Sequence, residues 1–197
     1  MSSGLPDDAR AVLDFWFGPV GSAERGSQRM EWFTKNADFD AQIGERFGAT
    51  IEQALRGELD AWDDDARSAL ARILLLDQFT RNVFRGSARA FAGDTQALAA
   101  ATALVGLRRD ETLPPYMRAF VYMPFEHAEG MAMQDEAVRL FTRLAAEAPE
   151  LSGMLDFAER HRAVIERYGR FPHRNEVLGR HSTAEELDYL ARPGAGF

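Results

Sequence analysis

Asp38-Phe39-Asp40-Ala41-Gln42-Ile43-Gly44-Glu45-Arg46-Phe47-Gly48-Ala49-Thr50-Ile51-Glu52-Gln53-Ala54-Leu55 carries Phe39, Ile43, Phe47, Ile51 and Leu55 at steps of four. At about 100° per residue, that spacing keeps every large apolar side chain on one face of a helix. A helix is expected from Asp38 to about Leu55, with Gly57 suited to closing it. The same period recurs in both directions along the chain.

Towards the N-terminus, Pro6-Asp7-Asp8 opens a first helix through Val12, Leu13, Phe15 and Trp16, stopped by Gly18-Pro19. Proline and early acids suit a first turn, because its amides are unpaired and its dipole end is positive. Towards the C-terminus, a third helix follows Trp62, led by Asp63, Asp64 and Asp65, and runs to about Phe84. Asp94 caps a fourth, which ends near Leu107. A fifth starts at Leu113-Pro114 and meets Pro124, which should kink or break it. A sixth covers Gln134 to Ala146 and a seventh Leu151 to Tyr168. Ser182-Thr183-Ala184-Glu185 has the form of a capping box for the last. No period-2 strand of useful length is present, so the class is all-α, with about eight helices in a single domain over 1–197.

The chain of 197 residues is long enough for one substantial core, and its 46% hydrophobic and 27% charged content is that of a soluble globular protein. It lacks cysteine, which excludes disulfide scaffolds, thiolate metal sites and cysteine nucleophiles. A net charge of -8 disfavours broad binding to nucleic acid or anionic membranes, which needs a positive surface field. No apolar run approaches the roughly 18 residues of a membrane span. Met1 to Asp8 has no basic or apolar leader pattern, so a cytoplasmic protein is expected.

Against that acidic background, Arg160 to His181 holds six Arg and two Glu. Arg170, His173, Arg174, Asn175 and Arg180 are interleaved with Gly169, Phe171, Pro172 and Gly179, the composition of a shaped connection. Arginine forks match carboxylate or phosphate oxygens two at a time. The plainer reading is that these arginines cap the seventh helix and tie down the last one.

The third helix changes character near its end. At 100° per residue Asp77, Gln78, Arg81, Asn82 and Arg85 share an arc of roughly 140°, opposite Leu75, Phe79 and Val83. An ordinary Asp77–Arg81 pair at i, i+4 accounts for part of it. The whole group also suits oriented hydrogen bonding. His127 shares a face with Tyr116, Phe120 and Met123, and His161 falls among Met154, Phe157, Ala158, Ile165 and Tyr168. A buried histidine needs a partner, for which Asp77 or Asp94 is suited. No P-loop, GxGxxG, HExxH or nucleophile elbow occurs. The histidines lack metal-type spacing to carboxylates, so a metal site could arise only by tertiary assembly, and neither a metal nor a cofactor is expected.

Four stretches together resemble the bacterial family known as domain of unknown function 924. They are Val12-Leu13-Asp14-Phe15-Trp16-Phe17-Gly18, Leu76-Asp77-Gln78-Phe79-Thr80-Arg81-Asn82-Val83-Phe84-Arg85-Gly86, Tyr122-Met123-Pro124-Phe125-Glu126-His127-Ala128-Glu129 and Gly169-Arg170-Phe171-Pro172-His173-Arg174-Asn175. The resemblance spans nearly the whole chain. It implies stacked antiparallel helical hairpins, a tetratricopeptide-like α-α superhelix, and no established activity. Thr80 and Ala128 depart from the family pattern, which favours proline and serine there.

The expected function is a pocket for a small anionic ligand. Asp77, Gln78, Arg81, Asn82 and Arg85 form one wall, and His127, His161, His173, Arg174 and Asn175 the other. Arg170 and Arg180 add positive potential. One alternative is an enzyme in the same pocket, with His127 or His173 as general acid–base and Asp77 orienting it. Another is a groove for an acidic peptide segment. The oligomeric state is left open.

Overall fold

The computed structural model describes residues 4–196, which are helical throughout their ordered elements, with no strand among them. They form two compact units. The first runs to Arg85 and takes in Arg89–Pro124; the second comprises Gly86–Ala88 and the chain from Phe125. None of the helices described is long and apolar enough to cross a membrane.

In the first unit, α1 (Asp7–Phe17) and α2 (Ala37–Leu55) lie where the apolar spacing puts them. Asn36 caps α2 by accepting from the amides of Asp38 and Phe39. Phe39, Ile43, Phe47 and Ile51 are buried, as the i, i+4 pattern requires. Phe15 stacks on Phe39 at 5.1 Å and meets Phe47 edge-on at 5.3 Å. Trp16 lies 5.4 Å from Phe79, and Trp32 lies 4.9 Å from Phe120, so the core is aromatic. Such pairs add about 0.5–1.5 kcal/mol each beyond the area they bury.

The third helix is where the regular 100° reading fails. α3 (Ala66–Ile73) passes into a π-helical stretch, Leu74–Phe79, before α4 (Thr80–Val83). The wider turns change the phase, so residues after Leu74 are not aimed as an unbroken α-helix would aim them. Asp65 caps α3, taking the amides of Arg67 and Ser68. Next to the π stretch, Gly93 precedes α5 (Asp94–Gly106) and lies against the backbone of Leu76. A Cβ on Gly93 would sit 2.3 Å from the Leu76 carbonyl oxygen. Asp94 is the first residue of α5 rather than its cap, and its side chain serves Arg81.

α6 (Pro115–Glu126) runs through Pro124 for two further residues, and the division between the units falls at that proline. In the second unit, α7 (Met131–Glu147) and α8 (Ser152–Tyr168) pack along their lengths as an antiparallel hairpin. Asp135, early in α7, accepts from Arg162 in the later half of α8 at 2.7 Å. Gly169 ends α8 in the left-handed conformation that glycine adopts without strain. The last helix, α9 (Ala184–Leu190), is one residue out of register with the sequence reading. Its capping box is Thr183 with Glu186, not Ser182 with Glu185.

Candidate functional site

The polar residues around Asp77 all lie in the first unit, where they tie its helices together. Asp77 is fully buried and receives Arg81 at 3.1 Å; Arg81 also makes a two-pronged bond to Asp94 at 2.8 and 3.1 Å. Burial works against the Arg81 charge, yet Asp77 and Asp94 hold its pKa above the usual arginine value. Asn82 donates to Asp40 at 2.6 Å, and Arg85 forks onto the same carboxylate at 2.9 and 3.1 Å. Gln78 donates to the Asp77 carboxylate at 2.6 Å and reaches the Met123 sulfur at 3.3 Å. The five residues therefore point to α2, α5 and α6 separately. A cleft of about 360 Å³ in this unit is lined by Asp14, Phe15, Arg29, Asp38, Phe39 and Arg46, among others, and by none of these five.

The other expected residues belong to the second unit, where the fold sorts them into two groups. Arg170 forks onto Glu186 at 2.6 and 2.8 Å, and Arg180 onto Glu129 at 2.6 and 2.9 Å. Asn175 donates to Ser182 at 3.0 Å and accepts from Arg180 at 2.9 Å. Glu129 also takes the Phe171 amide at 2.7 Å. Burial pushes the Glu129 carboxyl up, but the Arg180 fork and that amide outweigh it and hold it below the ordinary range. These arginines fix the 169–182 connection, the plainer of the two readings of the basic stretch.

The histidines form the second group. Phe171 is fully buried, and both His161 (5.5 Å, edge-on) and His173 (5.6 Å) pack on its ring. The ring of His127 lies 6.1 Å from that of His161. Arg174, nearly buried, places its guanidinium 4.5 Å above the Phe171 ring. Gly196 packs against His173; a Cβ there would approach the His173 Cβ to 2.9 Å.

Within its own unit His161 meets Glu126, a carboxyl other than the Asp77 and Asp94 expected from the sequence. His161 Nδ1 lies 2.9 Å from Glu126 Oε1 and 2.8 Å from the Phe157 carbonyl oxygen one turn earlier in α8. Both side chains are almost completely buried. Glu126 ends α6 and His127 is the first residue beyond it, so the two can turn towards the same point. Gln134, fully buried in α7, donates to the Glu126 carbonyl and the Ala128 carbonyl, both at 2.7 Å. It thereby clamps the backbone on either side of His127.

His173 has its pKa pushed down to about 4, first by burial, then by the charge of Arg174 and by His161, with Glu129 opposing. It is a neutral imidazole at pH 7. The arrangement thus gathers three imidazoles, the Glu126 carboxyl and a guanidinium in one place.

Glu126, Glu129 and Glu186 were not singled out in the sequence, although each holds one of its histidines or arginines. The available signal was the helix end after Pro124, where regular helical angles no longer say which residues converge. Glu129 carries no local signal, because Arg180 lies far away in the chain; Glu186 had one, the Thr183-x-x-Glu186 capping pattern one residue beyond the Ser182–Glu185 reading.

The family of bacterial proteins of unknown function DUF924 matches residues 12–194. No curated protein matches the chain. A solved structure described as the protein of unknown function ATU0120 from Agrobacterium tumefaciens is 40% identical. The match covers 93% of this chain and 96% of that one, with a TM-score of 0.80. With nearly its whole length matched, this chain belongs to the DUF924 family.

Proposed function

We propose that the second unit carries an enzyme site for a small anionic substrate, worked by histidine acid–base chemistry. The observation that carries this reading is the buried His161–Glu126 pair at 2.9 Å, with His127 beside it. A carboxyl fixed on one imidazole nitrogen sets the ring's orientation, and it is the usual way of making a histidine a reliable proton carrier. Glu126 orients His161, whereas the sequence reading had Asp77 orienting His127 or His173. His127 and His173, both partly exposed, are the groups placed to exchange protons with a ligand.

Arg174 supports the anionic character of the ligand, because its charge acts on both His173 and Glu129. A carboxylate or phosphate group suits that position. Arg170, Arg180, Arg81 and Arg85 each serve a carboxylate of the protein and take a structural part in this reading. Proton transfer or attack by an activated water is the reaction class that suits histidine acid–base groups.

The test is turnover of a panel of phosphomonoesters, carboxylic esters and small carboxylates by the wild type, His127→Ala and His173→Ala. Turnover that falls about 100-fold or more in either variant supports the reading. Activity equal in all three proteins, or absent throughout the panel, overturns it.

A further inference from the structure

We propose that Glu126, His127 and His161 bind one divalent transition-metal cation of the zinc class. The inference rests on the same histidine cluster as the enzyme reading and deepens it, because it gives two of the histidines a ligand's role and leaves His173 for the proton.

One ligand-type atom from each of the three residues lies within 4.8 Å of the other two. A cation with bonds of about 2.1 Å holds its ligands no more than about 4.2 Å apart. His161 Nδ1 lies 2.9 Å from Glu126 Oε1, so the imidazole and the carboxyl already meet; with the Nδ1 proton directed at the Phe157 carbonyl, Nε2 is the His161 nitrogen left for a cation. Any remaining closure falls to His127, which is partly exposed and lies just beyond the end of α6.

The surroundings are those of a prepared site. Glu126 and His161 are each 7% exposed at the side chain, so the cation would replace little hydration there. The Phe157 carbonyl takes the His161 Nδ1 proton, which orients the ring and leaves Nε2 as the ligand nitrogen, the usual way a metal-bound imidazole is held. Gln134 fixes the main chain at Glu126 and Ala128, and so sets where His127 leaves the backbone. Ordinary burial of a histidine needs none of this clamping.

The donor set selects the metal. Two imidazoles and one carboxyl suit zinc, cobalt, nickel or ferrous iron, whereas magnesium and calcium prefer all-oxygen sites. Three protein ligands leave at least one position for water or a ligand oxygen, which distinguishes catalytic from structural sites.

The experiment uses tag-free full-length protein, stripped with a chelator and titrated calorimetrically with Zn²⁺ and Mg²⁺. Co²⁺ is followed by its visible absorption. The expected result is one equivalent of Zn²⁺ or Co²⁺, bound at least about 100-fold more tightly than Mg²⁺. His127→Ala should weaken it at least about 10-fold, with circular dichroism unchanged. His181→Ala, an exposed histidine outside the cluster, should leave it unchanged. Binding that survives His127→Ala, or is lost equally in His181→Ala, overturns the inference. So does no binding at all. A chelated protein whose turnover still depends on His127 and His173 would remove the metal while leaving the acid–base reading intact.

Discussion

Glu126 Oε1 on α6 lies 2.9 Å from His161 Nδ1 on α8, and both side chains are almost wholly withdrawn from water. Neither residue has a local reason to face the other. The pair forms because α8 packs its His161 face inward, where an imidazole must find a hydrogen-bond partner.

Removing one member should therefore cost stability. Glu126→Ala removes the carboxyl from His161 Nδ1 and opens a space beside it. A loss of about 1–3 kcal/mol is expected, read as a lowered urea midpoint with an unchanged m-value. Glu126→Gln, which keeps the shape and a hydrogen-bonding oxygen, should lose less than half as much. Equal losses would mean that packing alone holds the pair.

Arg81 stands between Asp77 and Asp94. Arg81→Ala takes the guanidinium away from the fully buried Asp77 and should destabilise by about 3–5 kcal/mol. The double variant with Asp77→Asn should recover part of that loss. Thermal unfolding of the single and double variants checks it, and a double variant no more stable than Arg81→Ala would contradict it.

Gly93 is required by close approach, not by a left-handed turn. Gly93→Ala sets a methyl group 2.3 Å from the Leu76 carbonyl oxygen and must move α5 or the π stretch. Overpacking of this kind costs about 1–3 kcal/mol. Gly86→Ala, with open space around its Cβ but a positive φ of 78°, should cost about 1 kcal/mol from backbone strain alone. Differential scanning calorimetry of the two variants separates the causes; the larger loss belongs to Gly93.

Glu186 is the titrating group with the clearest consequence for pH. The Arg170 fork, opposed by burial and helped by the Thr183 amide and Asn175, lowers its pKa from 4.5 to about 2. Because the folded value lies below the ordinary one, the stability it adds is complete above about pH 4.5. It is lost as the pH falls towards 2. Wild-type stability should fall through that window, and Glu186→Gln should show a shallower fall from a lower starting point. Parallel pH profiles in the two proteins would count against this assignment.

The sequence determined the all-α class and most helix positions, since apolar spacing at three and four residues is a local property. Phe39, Ile43, Phe47 and Ile51 show it most clearly, and all four are buried. It also brought His127, His161, His173 and Arg174 to notice, because polar residues on apolar faces or beside Gly and Pro are conspicuous in one dimension. Only the tertiary structure decided what they do with one another. The π-helical turns at Leu74–Phe79, where the Leu76 backbone lies against Gly93, changed the phase of the Asp77 stripe, which no regular period encodes. The choice of Glu126 for His161, and of Glu186 and Glu129 for Arg170 and Arg180, depended on which helices pack together. Burial makes such polar pairings obligatory, but a linear chain does not say which of its thirty-one acids will be near enough to supply them.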